Sequence, residues 1–451
     1  MGIDIGIELL TAIMFGSLLV LLMAGLPLAF VTGGLACVFL FVLGDAQALN
    51  IVPSRIFPLM TNYQLSAIPL FIFMAAMLER AGIINDMFDV IYKVLGGVKG
   101  GLAAATVIAS TILAAMVGVI GAAVVTMGII ALPAMLKRHY DPKIAMGSIM
   151  AGGTLGILIP PSILAIIYAV VAEQSVGELF IGAVIPGLLL SGMYILYVVI
   201  RCTINPDLGP AIPVAERVSN AEKVRLIGKM AAPITLVVVV LGIIFSGVAT
   251  PVEAAGIGTF GAFIVAAIHR KLDWPTIREA CTTTLKASAM VIWIMFGATI
   301  FVGLYVLEGG QQFVQDSLAA TGLGPWGILI LMQILLVILG MFLDWVGILL
   351  LCVPIFVPII KALGAQAFGL DSSEDLVLWF GVLYLVNMQM SFLSPPFGYA
   401  LFYLRGVAPP EIPMSDIFKS ALPFLFLQVV GLTLCMLYPQ IITWLPRLVY
   451  G

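Results

Sequence analysis

Three features of this sequence could do chemistry, and each sits inside an otherwise apolar stretch. Asp344 is the only charged residue between Asp316 and Lys361. A carboxylate among apolar neighbours is costly unless a cation or a proton neutralises it. Three roles are open to it: ligand for a hard cation such as sodium, proton carrier, or cap on a broken helix. Carboxylate, hydroxyl and carbonyl oxygens suit a hard cation. The other two features are the pairs Pro160-Pro161 and Pro395-Pro396. A proline pair cannot continue a helix, because each ring removes an N–H, clashes with the preceding turn and pushes the residue before it toward extended geometry. Gly156 and Gly398 loosen the same regions. Backbone carbonyls are thereby left without helical partners. Either a bound cation satisfies them, or the hydroxyls of Thr154, Ser162, Ser391 and Ser394 patch a purely structural kink.

Little else offers reactivity. His139 and His269 stand in basic loops and read as solvated side chains, and Glu253 beside Pro251 reads as a loop end. The five cysteines (Cys37, Cys202, Cys281, Cys352, Cys435) have no metal or disulfide spacing. No phosphate-binding Gly-x-x-x-x-Gly-Lys-Ser/Thr stretch is present, so an ion gradient is the energy source left for work. The chain reads as no enzyme and needs no organic cofactor.

The elements that must position these residues are membrane helices. Of the 451 residues 62% are hydrophobic and 10% charged, with mean hydropathy +1.20; soluble domains are about a quarter charged. Lipid offers no partner to an open strand edge, so helices are expected. Runs near the ~20 residues needed to span fall at 8–24, 26–43, 67–92, 145–171, 179–200, 231–249, 251–268, 286–306, 376–404 and 420–445. The first is expected to be a permanent span, since no cleavable signal is visible. Trp274, Trp326, Trp379 and Trp444 fit interfacial positions. Two apolar stretches, 100–136 and 324–360, break near their middles, at Gly118 and Gly121 and at Gly340-Met-Phe-Leu-Asp344. Each fits two short arms meeting inside the membrane better than an ordinary tight pair of spanning helices, which is the alternative.

Charge placement orients them, because Lys and Arg accumulate in the cytoplasm. Lys93 and Lys99 precede the first broken stretch, and Lys137, Arg138 and Lys143 follow it, so it returns to its own side. By this threading 16 of the 20 Lys and Arg residues are cytoplasmic. Arg55, Lys361 and Arg447 fall outside, and Arg80 is unassigned. The second broken stretch is then anchored on the opposite side.

The two halves also overlay. Ala115–Gly121 and Pro133 match Gly340–Val346 and Pro358; Thr154–Ser162 matches Ser391–Pro396; Leu179–Pro186 matches Asp416–Pro423. The expected organisation is a first repeat over 1–200, with a hairpin at about 100–136 and an interrupted helix at about 145–171. A connecting arm covers 201–229. A second, inverted repeat over 230–451 has its hairpin at about 324–360 and its interrupted helix at about 376–404. Inverted repeats with broken helices are a recurring plan of secondary transporters, with the site near the midplane. The fold class is an all-α polytopic membrane protein of about ten transmembrane helices plus two oppositely oriented re-entrant hairpins.

The whole chain resembles the large membrane subunit of tripartite ATP-independent periplasmic (TRAP) transporters. The matching residues are Ser66-Ala-Ile-Pro69-Leu-Phe71, Leu132-Pro133, Tyr140-Asp141-Pro142, Gly152–Ser162, Gly340–Asp344 and Ser394-Pro395-Pro396-Phe-Gly398. The resemblance implies sodium-coupled import of a small organic acid anion across the bacterial inner membrane by an elevator mechanism. In it a transport domain of both hairpins and both interrupted helices slides against a scaffold. The implied partners are a periplasmic substrate-binding protein, a separate small membrane subunit of about four helices, and the surrounding phospholipid; no nucleic acid is expected. Two sodium ions are implied. One is expected between the Gly118–Gly121 tip and the Thr154–Gly156–Pro160–Ser162 break, the other between Gly340–Asp344 and the Ser391–Ser394–Pro395 break, with substrate between them. Many members carry Ser-Gly-Ser at the first tip, where this chain has Val117-Gly118-Val119, so that site loses hydroxyl ligands and leans on backbone oxygens. A stand-alone proton- or sodium-coupled organic-anion carrier is the alternative.

Overall fold

The computed structural model describes residues 6–118, 120–213, 217–396 and 398–450; among them there is no β-strand. In chain order the helices are α1 (Ile7–Met23), α2 (Leu28–Ala48), α3 (Ile51–Met60), α4 (Ala67–Arg80), α5 (Ile83–Leu95), α6 (Gly101–Val117), α7 (Ile120–Lys137), α8 (Pro142–Thr154), α9 (Ile163–Ala172) and α10 (Val176–Ile204). Then come α11 (Asn220–Lys229), α12 (Ala231–Phe245), α13 (Pro251–Ile268), α14 (Trp274–Leu307), α15 (Gly310–Ala320), α16 (Pro325–Gly340), α17 (Trp345–Leu363), α18 (Ser373–Leu393), α19 (Tyr399–Arg405), α20 (Met414–Leu437) and α21 (Gln440–Tyr450).

Local chemistry sets many of the boundaries. Asp141 caps α8, its carboxylate accepting from the N–H groups of Lys143 and Ile144, with Pro142 at the first helical position. Thr250 and Glu253 form a reciprocal capping box at the start of α13, which accounts for Glu253. Asp273 caps α14 by accepting from the Thr276 N–H at 2.8 Å. That bond holds its carboxyl below the usual carboxylate range.

Among the described residues seven helices are long and apolar enough to cross a membrane, or nine if two bent pairs each count as one span. The expected number is about ten, two of them interrupted; α1, the Leu28–Gly44 part of α2, α6, α9 and α16 are apolar but shorter than this length. The stretch 67–92 is not continuous: Gly82 takes the left-handed conformation (φ 73°) and separates α4 from α5. Residues 420–445 divide at Tyr438-Pro439 into α20 and the amphipathic α21, and α12 is bent by 52° against α11. Conversely, α14 extends the expected 286–306 to 34 residues. Of the connecting arm, residues 214–216 lie outside the described residues.

The helices pack in two groups. In one, α14 lies against α2, α3 and α4, and α13 against α4 and α12. In the other, α6, α7 and α20 surround α8, while α16, α17 and α20 surround α18. Every residue of α18 from Leu376 to Leu393 is buried, so this helix is the axis of its group. Trp379 is consequently not interfacial: it is fully buried on α18 and donates its indole N–H to the Cys435 carbonyl at 2.9 Å. Trp274 and Trp444 are exposed.

Candidate functional site

α6 ends at Gly118, which is left-handed (φ 58°) and donates its N–H to Ala114 O. A Cβ placed there would lie 2.7 Å from the Pro161 carbonyl oxygen. Only glycine lets this tip settle on the proline pair. The break itself runs from Thr154, the last residue of α8, through a 3-10 turn at Leu155–Ile157 containing Gly156, to Ser162, which caps α9. The Ser162 hydroxyl donates to Ile157 O and accepts from the Ala165 N–H. The Thr154 hydroxyl donates to Ala151 O at 2.8 Å and accepts from Gln428 Nε2 of α20 at 3.3 Å. Among the described residues no hydrogen bond reaches the carbonyl oxygens of Pro160 or Pro161. These oxygens and the remaining lone pair of Thr154 are donors suited to a hard monovalent cation. Val119, the other residue of the tip, lies outside the described residues.

Gly121 is placed differently from the expectation. Its missing Cβ faces the Tyr403 ring of α19 at 3.1 Å, and Gly128, two turns further on along the same face, packs against Leu404 and Val407. The α7 arm therefore rests on the helix that follows the second proline pair, because only glycines let an aromatic ring approach the backbone so closely.

At the second tip, α16 ends at Gly340 and the chain turns through Met341–Leu343 to Asp344, the cap of α17. The Asp344 carboxylate accepts from the Val346 N–H at 3.2 Å. A Cβ on Gly340 would meet Ser391 Oγ at 2.2 Å, so tip and break touch here as well. Ser391 and Ser394 donate their hydroxyls to Asn387 O and Met390 O, at 3.3 and 2.7 Å. Pro395 lies in the turn that follows, and Phe392 O and Ser394 O converge on Gly398; Phe397 lies outside the described residues. Tyr384 OH donates to Trp345 O at 3.3 Å and stacks on Tyr168 of α9, tying the two broken helices together.

Polar groups that sequence reasoning passed over lie on α18, in the two turns before Ser391. Gln389 is fully buried with neither amide atom bonded, and Asn387 donates to Gln333 of α16 while its own Oδ1 has no partner. Buried amides of this kind are costly without partners. The signal was available: Asn387-Met-Gln389-Met-Ser391 is a polar alternation inside an apolar helix.

In front of Asp344 opens a cavity of about 720 Å³, lined by Pro27 and Phe30 of the α1–α2 corner, Trp293 of α14, and Tyr399 and Tyr403 of α19. No Lys or Arg among the described residues lines it. Among the described residues no group of three His, Cys, Asp or Glu side chains could hold a metal. The chemistry on offer is thus a lone carboxylate and aromatic rings at this cavity, and backbone oxygens without hydrogen-bond partners at the Pro160-Pro161 break.

The chain's sequence matches the family described as "Tripartite ATP-independent periplasmic transporter, DctM component" over residues 15–441. It is 32% identical over 415 residues to the C4-dicarboxylate TRAP transporter large permease protein DctM of Pseudomonas aeruginosa, covering 92% of this chain and 93% of that one. It is 28% identical to the isethionate TRAP transporter permease protein DctMQ of Oleidesulfovibrio alaskensis, matching 95% of this chain but 65% of that longer one. In fold it is similar to the YdaH transporter of Alcanivorax borkumensis, with TM-score 0.67 at 16% identity over 95% of this chain and 99% of that one. The chain belongs to the DctM family of TRAP large permeases, and is an integral inner-membrane protein and not an enzyme.

Proposed function

We propose that this permease imports a small organic acid anion, coupled to sodium, after a periplasmic substrate-binding protein delivers it. The carrying observation is that both glycine tips sit directly on proline-pair breaks, Gly118 on Pro161 and Gly340 on Ser391, leaving hard oxygen donors at each. The first cation site draws on Thr154 and the Pro160–Pro161 carbonyls, the second on Asp344 with Ser391 and Ser394.

Electrostatics gives the coupling its direction. An anionic substrate entering the cavity meets the Asp344 carboxylate and no fixed cation. Two like charges 4 Å apart repel by about 4 kcal/mol at an effective dielectric of 20. A sodium ion on Asp344 removes that cost, so sodium and substrate favour each other's binding, reciprocally.

The order of elements supports a repeat, and charge placement supports its inversion. Helix, glycine turn and helix (α6–α7, α16–α17) are followed each time by helix, proline break and helix (α8–α9, α18–α19). We read α6–α9 and α16–α19 as the moving transport body, and α1–α4 with α12–α14 as scaffold. A separate four-helix membrane subunit would enlarge that scaffold. The cavity opens beside the Gly25–Pro27 corner, which charge placement puts on the cytoplasmic side, so this conformation faces inward.

The test is uptake of labelled organic acids into proteoliposomes holding the permease and its small partner. It is run with and without an inward sodium gradient and with and without the binding protein. Uptake requiring both supports the proposal. Uptake undiminished without the binding protein favours a stand-alone carrier, and a proton-driven signal removes sodium from the scheme.

A further inference from the structure

A second cavity, of about 420 Å³, lies where the C-terminal end of α4 meets the first four turns of α14. Two adjacent stripes of α14 form its wall: Arg278, Thr282 and Lys286 on one, Glu279 and Thr283 on the other, each at i, i+4 spacing. Arg80, the last residue of α4, closes it and binds Glu279 at 2.9 Å. That pair cancels itself. Arg278 and Lys286 have no ion-pair partner among the described residues, so the cleft keeps two uncompensated positive charges.

Its surroundings are apolar. Trp274 at the rim is 74% exposed, and Leu285 on the same helix 70%. An exposed tryptophan beside cations marks the membrane–water interface. The positive cleft therefore opens where headgroups lie, with bare hydrocarbon-facing side chains beside it for acyl chains.

We propose that this cleft is a binding site for an anionic phospholipid. The phosphodiester is held by Arg278 and Lys286, with Trp274 at headgroup level and a chain running along Leu285. Basic pockets between transmembrane helices on the cytoplasmic side take such headgroups, and each cation is worth about a 5-fold change in affinity. The occupant lies on α14, the helix whose Trp293 lines the main cavity, beside the Arg80 end of α4. It takes no part in sodium or substrate binding.

Native mass spectrometry of the full permease, titrated with phosphatidylglycerol, phosphatidylcholine or inorganic phosphate, tests this. The wild type is expected to bind phosphatidylglycerol preferentially. Arg278→Gln with Lys286→Gln weakens that binding about 25-fold, while Arg270→Gln with Lys271→Gln, in the preceding loop, leaves it unchanged. Glu279→Gln, which frees Arg80, strengthens it several-fold, an outcome that misfolding would not produce. Equal retention of phosphatidylcholine, equal loss in the loop control, or displacement by inorganic phosphate would overturn the proposal. So would a co-purifying membrane protein seated on the cleft.

Discussion

Asp344 and Gly118 carry the most at the scale of single residues. Asp344 spends one lone pair on the Val346 N–H and keeps the rest of its carboxylate for the cavity. Gly118 makes the other tip possible by its conformation alone. Gly118→Ala puts a side chain into a left-handed residue, at about 1–2 kcal/mol, and drives its Cβ against Pro161 O. Initial uptake rates are expected to fall at least 10-fold, whereas Gly192→Ala, with open space around it, leaves them unchanged. Equal rates in the two variants would detach the first tip from transport. The prolines, glycines and Asp344 could all be singled out in sequence because their effects are local. The partners of Gly121 and Gly340 could not, since contact with Tyr403 or Ser391 depends on how distant helices pack.

At the scale of elements, α16 and α18 meet through the Gly340–Ser391 contact. Gly340→Ala overpacks that contact, and overpacking costs about 1–3 kcal/mol. Transport is expected to drop, and Ser391→Gly in the same chain to restore part of it. A double variant no better than the single one would show that the close approach is not what matters. Helix boundaries were readable where a proline sets them, as at Pro251, where α13 starts and ends as expected. They were not readable at Gly82, because α5 has a buried apolar face (Ile83, Ile84, Met87, Phe88, Ile91) that prolongs the hydrophobic run of α4. Trp379 misled for a related reason: residue type suggests an interface, but α18 is enclosed by α16, α17 and α20. On the surface, Arg447 of α21 bonds Asp371 and Asp375, each at 2.8 Å. Such exposed pairs contribute below about 1 kcal/mol, so Arg447→Ala should shift the midpoint of thermal unfolding only slightly; a large shift would give α21 a greater structural part.

At the scale of the whole molecule, a group of helices around α14 and a group around α8 and α18 face each other across the main cavity and also touch directly, at α14 with α17 and at α4 with α6. If the second group moves past the first, joining them must stop transport. Trp293→Cys with Tyr403→Cys, linked by a bifunctional thiol reagent, is expected to arrest uptake, while each single variant treated alike stays active. Unimpaired uptake by the linked protein would rule out the sliding motion.

Sodium coupling through Asp344 is tested most directly by one measurement: sodium-gradient-driven uptake of the organic acid by wild-type and Asp344→Asn permease. Both are reconstituted with the small membrane subunit and the binding protein. The wild type should accumulate substrate only with inward sodium, and the variant should lose that dependence together with nearly all accumulation. A variant that still accumulates substrate on a sodium gradient as the wild type does would contradict the role given to this carboxylate.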